Sequence, residues 1–157
     1  MIAATDSLAS ARVPRDGPLL ERVLARLDAV PYSLLAIPLR LAVATVFWNS
    51  AMAKLANWQT ALALFADEYK VPLLAPDVAA YMAVSIELST PVLLVLGLLT
   101  RPAALALLGM TSVIEIFVYP QAWPTHIQWA AMILVLLCRG AGTFSLDHWL
   151  RRRWRGA

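Results

Sequence analysis

Two glutamates stand inside apolar runs of this chain, Glu87 within Val78–Leu99 and Glu115 within Pro102–Val118. Carboxyl groups in such places can close a salt bridge, carry a proton or hold the polar end of a ligand. From Pro102 to Cys138 the only formal charge is Glu115, with His126 as a second ionisable group. A charge at the centre of a bilayer costs at least about 2.5–3.5 kcal/mol, so intramembrane acids face a protein interior and find a partner there. These residue types point to a polar intramembrane cluster of Arg40, Lys54, Glu87, Glu115 and His126. Asn49, Thr111, Ser112 and Trp123 are its secondary members.

Arg40, Ala44, Phe47, Ala51 and Lys54 recur at steps of four and three, so they share one helix face. Its two alanines permit close helix contact. Long basic side chains near helix ends either snorkel to the headgroups or turn inward to an acid. Glu87 cannot snorkel, because it lies about 15 Å from its helix end, near the midplane. Pro91 stands four residues later, and a helical proline leaves the carbonyl of residue i−4, here Glu87, without its hydrogen bond. The plainer role for Glu87 is a lock between two helices. Glu115 is shallower, and on a regular helix it shares a face with Thr111, Ser112 and Tyr119. Matching depth makes Lys54 the expected partner of Glu115, with Arg40 reaching toward Glu87 from the opposite side. His126 stands beside Trp123 and Thr125, in the setting of an interfacial anchor, a metal ligand or a proton carrier. A Glu115–His126 metal site has no HxxxH, ExxH or cysteine ligand to support it.

The elements that must carry these residues are membrane helices. Of the 157 residues 61% are hydrophobic, and the mean hydropathy is +0.68. A soluble core of this size could not hide so many Leu, Ala and Val, whereas lipid solvates them. The pattern predicts an all-α bundle of four transmembrane helices, at about 33–56, 77–99, 102–119 and 124–138. Spans need about 20 residues, so the fourth is short. Thr100-Arg101-Pro102 predicts a tight hairpin, with Thr100 as cap and Pro102 in the first helical turn. In the connection 57–76, Trp58, Leu62, Phe65 and Tyr69 share a face, which predicts a short amphipathic helix at the interface or capping the bundle. Leu20, Val23, Leu24, Leu27 and Val30 predict a further helix along the membrane surface.

Charge sets the expected topology. Arg12, Arg15, Arg22 and Arg26 precede the first span, Arg101 lies in the hairpin, and Arg139, Arg151, Arg152, Arg153 and Arg155 follow the last span. Only Lys54 and Lys70 fall on the other side, so the positive-inside rule places both termini in the cytoplasm. A soluble protein with such arginines would suggest nucleic-acid binding; here their flanking position argues for membrane lipid as the contact and against nucleic acid. The expected organisation is a cytoplasmic tail with a surface helix at 1–32, the bundle at 33–140 and a basic cytoplasmic tail at 141–157. No signal peptide is evident. Cys138 is the single cysteine, which excludes an internal disulfide and a thiolate metal cluster.

Arg40-Leu41-Ala42, Ala53-Lys54-Leu55, Glu87 and the run Leu96-Gly97-Leu98-Leu99-Thr100-Arg101-Pro102-Ala103-Ala104-Leu105 occur in an order that resembles the DoxX family of small four-span bacterial membrane proteins. The likeness covers about residues 34–140. One departure stands out: the family carries glycine shortly before the lysine, whereas this chain has Asn49-Ser50-Ala51-Met52-Ala53. The run Phe117–His126 is similar to a subgroup found beside copper-buffering peptides called bufferins. The resemblance implies association with membrane redox complexes, thiosulfate–quinone chemistry or oxidative-stress assemblies.

The function expected from residues and resemblance together is a non-catalytic accessory subunit of an inner-membrane assembly linked to redox or metal stress. Other membrane or redox proteins, or further copies of the chain, are its expected partners, and a quinone or copper its expected ligand. One alternative is a small transporter or channel with a pathway through Lys54, Glu87, Glu115 and His126. Another is a quinone-interacting oxidoreductase subunit, although no Walker loop, dinucleotide fingerprint or bis-histidine haem pattern is present.

Overall fold

The computed structural model describes residues 18–155. The tail expected over the first 17 residues lies outside them, as do Arg12 and Arg15. The chain divides into two units, Met1–Tyr32 and Ser33–Ala157. In the first, helix α1 (Leu19–Asp28) buries no residue, and its apolar face of Leu20, Val23, Leu24 and Leu27 is exposed.

The second unit contains α2 (Tyr32–Ala56) from Ser33 onward, α3 (Trp58–Leu64), α4 (Pro76–Leu96), α5 (Thr100–Val113), α6 (Trp123–Arg139) and α7 (Leu146–Arg155). Two of these helices run on into single π-helical turns, α3 into Phe65–Tyr69 and α5 into Ile114–Val118. No strand occurs among the described residues. Three stretches, α2, α4 and the run Thr100–Val118, are long and apolar enough to cross a membrane. Helix α6 has 17 residues, about 25 Å at 1.5 Å per residue against a hydrocarbon core of about 30 Å.

One core joins α2, α4, α5 and α6: Val43, Ala44 and Phe47 meet Leu94, Ala103, Ala104, Leu107, Ile133 and Leu136. Phe47 stands edge-on to Trp129 at 5.9 Å. A second cluster docks the connection onto α4. Phe65 is buried with Ala79 and Ala80, flanked by Trp58, Leu62 and Tyr69, so small residues of α4 admit these rings.

Helix ends explain the connections. Proline occupies the first turn of α4, where its missing N–H costs nothing. At its other end Gly97 takes φ +64°. The Gly97 and Leu98 amides donate to the carbonyls of Leu94 and Leu93, the paired bonds that close a helix through a left-handed glycine. Thr100 does not cap α5 as expected. The Asp147 carboxylate accepts from the amides of Leu99 and Thr100 at 2.8 and 3.0 Å, and the Thr100 hydroxyl is buried without a hydrogen bond. A residue 47 positions away does the capping, because α7 folds back against the hairpin.

Candidate functional site: a cavity flanked by two acid–base pairs

Glu87 is 1% exposed and receives three hydrogen bonds from α2. Lys54 Nζ donates to Oε1 and Oε2 at 2.7 and 2.9 Å, and Ser50 Oγ donates to Oε1 at 2.9 Å. Lys54 also donates to Ser50 Oγ at 2.8 Å, closing a triangle. Ser50 and Lys54 sit one turn apart on α2, so one helix face supplies both donors. Such a pair offsets its desolvation cost only with satisfied geometry, which the third donor helps to provide.

The expected pairings of Lys54 with Glu115 and Arg40 with Glu87 are both replaced. Helical side chains lean toward the N-terminus of their own helix. Lys54, near the end of α2, therefore leans back along α2, and Glu87 leans toward the start of antiparallel α4, so the two converge. By the same rule Arg40 leans away from Glu87. Its guanidinium donates to the Phe144 carbonyl at 3.1 Å, and a Cβ on Gly97 would collide with it. Arg40 thus belongs to the opposite end of the bundle.

Glu115 meets His126 instead, with Oε2 and Nδ1 2.6 Å apart. Glu115 lies in the π-helical turn Ile114–Val118. Its Tyr119 N–H to Ile114 C=O bond spans five residues, which shifts the helix register that sequence periodicity assumes. The Thr111 and Ser112 hydroxyls donate to the carbonyls of Leu107 and Leu108 one turn back. Asn49 is exposed beside Trp48 and Pro91 in a different groove, and Trp123 is exposed at the start of α6.

Lys54, Glu87 and His126 all border one cavity of about 430 Å³. Its other walls come from Phe65 and Tyr69 of the first π turn, Ile114 of the second, and Trp129 of α6. The exposed residues Met82, Leu105, Ala106 and Gly109 line its mouth between α4 and α5. A Cβ added at Gly109 would meet nothing within 4 Å.

Tyr119 and Glu68 join the two π turns at this cavity. The Tyr119 hydroxyl donates to Glu68 Oε1 at 2.6 Å, and its ring stands edge-on to Tyr69 at 5.6 Å. The bond to the carboxylate holds the Tyr119 phenol far above its ordinary range, because ionisation would remove the donated proton. Sequence reasoning placed Tyr69 on the apolar face of the connection and Tyr119 on the face of Glu115, and gave Ser50 and Glu68 no role. The four-residue step from Ser50 to Lys54 was a usable signal; the widened turns left none. Among the described residues no three His, Cys, Asp or Glu side chains gather, so Glu115 and His126 offer a metal only two donors.

These features define a helical integral membrane protein with a buried ion pair between two of its helices. The DoxX family profile matches residues 35–120, more than half of the chain, and the chain belongs to that family. It is similar to an uncharacterised protein of Haemophilus influenzae, at 29% identity over 124 residues that cover 73% of this chain and 82% of the relative. No solved structure matches.

Proposed function

We propose that this DoxX-family chain is a four-span bacterial inner-membrane protein with both termini cytoplasmic. In this reading it is a non-catalytic accessory subunit of a redox- or metal-stress assembly. It binds a small lipid-soluble molecule with a polar head, of the quinone class. The observation that carries the reading is the cavity of about 430 Å³, within the size range of small-molecule sites. Its walls are mostly apolar, its polar groups are few and fixed, and its mouth is bordered by exposed apolar side chains of α4 and α5. His126 would orient a carbonyl head through the ring nitrogen that Glu115 does not engage, and the aromatic walls would hold its ring. The excess of arginine at one end of the helices supports the topology.

The transport alternative has less support, because a conducting charge needs groups free to exchange partners, whereas Lys54 and Glu87 are mutually bonded. Titrating the detergent-purified chain with a short-chain benzoquinone, read by tryptophan fluorescence, tests binding. Trp129 borders the cavity, so quenching should saturate in the native chain and weaken in W129F. Gly109→Phe should block it, with the melting temperature unchanged. Quenching that never saturates, or that is identical in G109F, would sink the reading.

A further inference from the structure

Between Arg40 and Lys54, helix α2 binds most of its polar side chains within the chain. Arg40 donates to the Phe144 carbonyl, Thr45 to the Leu41 carbonyl, and Ser50 and Lys54 to Glu87. The Asn49 amide and the neighbouring Trp48 indole N–H are the exceptions: neither makes a hydrogen bond among the described residues. Both side chains are exposed on the outside of the bundle. Asn49 lies about 10 Å from the end of α2 and about 13 Å beyond Arg40, at 1.5 Å per residue. At that depth in a helix apolar enough to cross a membrane, no water reaches the amide, and leaving it unbonded is costly.

The face around Asn49 is small and self-complementary. Ala42, Thr45 and Ala53 stand one or two turns from Asn49 on the same exposed face. Beside it lies a groove of about 330 Å³, bordered by Thr45 and Trp48 on α2 and by Pro91, Val92 and Val95 on α4. An acyl chain would fill this groove but offers the amide neither donor nor acceptor. A second copy of the chain offers both. Inserted in the same direction, it carries its own Asn49 at the same depth, and a two-fold axis along the membrane normal sets the two amides face to face. Each amide has a carbonyl acceptor and an NH2 donor, so each satisfies the other.

We infer that the α2 face of Ala42, Thr45, Asn49 and Ala53 is a homodimer interface within the membrane, with Asn49 bonded to the partner's Asn49. Small residues let the two backbones approach, as at other intramembrane helix pairs held by an amide. The indole of Trp48 in each copy then enters the groove of the other. Ser50 and Lys54 leave α2 on another side, toward the larger cavity, so pairing and ligand binding are separable.

Sedimentation equilibrium of the full chain in density-matched non-ionic detergent tests the pairing. The native chain should dimerise reversibly, and Asn49→Leu should raise the dissociation constant about tenfold, as loss of an interhelical amide bond in a membrane does. Asn49→Gln keeps the amide and should recover part of that loss. Asn49 makes no bond within its own described chain, so N49L should leave the helicity unchanged. In vesicles, and in a C138S background, A53C should cross-link two copies on oxidation. L105C, on the exposed side of α5, should not. A native chain that stays monomeric would leave the groove to acyl chains and overturn the inference. Pairing of N49L as tight as the native chain's, or equal cross-linking through A53C and L105C, would overturn it as well.

Discussion

Lys54 on α2 and Glu87 on α4 meet in a two-point ion pair, at 2.7 and 2.9 Å, that brings two helices together at the edge of a cavity. The two residues are not equally placed. The Lys54 side chain keeps 17% exposure and the Glu87 side chain 2%, so the acid depends on the base more than the reverse.

That asymmetry predicts the order of damage on mutation. Lys54→Met strands a buried carboxylate and should cost about 3–5 kcal/mol, the usual consequence of breaking a buried pair from one side. E87Q should cost less, because the Lys54 ammonium retains contact with its surroundings. The double change K54M/E87L should restore most of the loss, since apolar replacement of both partners is commonly neutral. Thermal unfolding in detergent, followed by circular dichroism, ranks the three variants. A K54M protein that melts with the native chain would remove the structural role assigned to the pair.

Gly97 is the tightest point of the α4–α5 hairpin. Its φ of +64° suits glycine, and an added Cβ would strike the Arg40 guanidinium and the Ser145 side chain. Gly97→Ala should destabilise by about 2–4 kcal/mol, combining left-handed strain with overpacking. Arg40 can swing aside but the Ser145 backbone, 3.1 Å from that Cβ, cannot. R40A should therefore recover only part of the loss in the G97A/R40A chain, measured by the same unfolding assay.

Asp147 caps α5 from α7, so its removal should act at a distance in sequence. Asp147→Ala should cost about 0.5–2 kcal/mol, as losses of helix caps do. Hydrogen exchange localises the effect. The Leu99 and Thr100 amides should lose protection while those around Lys54 keep theirs. Uniform loss across the chain would instead indicate global unfolding.

Tyr119 should ionise well above the ordinary tyrosine range. Its neutral form is the one bonded to Glu68, so the bond's contribution is whole below pH about 10, the ordinary tyrosine value. The contribution then falls as pH rises from there toward the elevated folded-state value. Phenolate absorbance should show a late step that Y119F abolishes. A titration in which Y119F loses its phenol from the ordinary step at about pH 10, and not from a late one, would show that the bond to Glu68 does not form.

Helical class, membrane setting and candidate ionisable residues were legible in the residues alone. Long apolar runs and isolated charges are local properties, and lipid imposes helical hydrogen bonding on whatever crosses it. Family membership was legible for a similar reason, in the ordered elements around Lys54, Glu87 and Leu96–Leu105. Partner choice was not legible. Depth counted along a straight helix paired Lys54 with Glu115, but side-chain lean and chain direction decide which groups converge. The π turn was not legible either, because nothing in Ile114–Val118 announces one.

Composition and spacing thus determined that acids stand within apolar helices and that each requires a partner, since desolvation makes an unpaired charge too costly there. Only the packed fold decided that Glu87 takes Lys54 with Ser50, that Glu115 takes His126, and that Arg40 serves the opposite end. Hydrogen bonds act over about 3 Å. Their choice of partner therefore depends on helix direction, rotation and contact, which exist only once the helices have assembled.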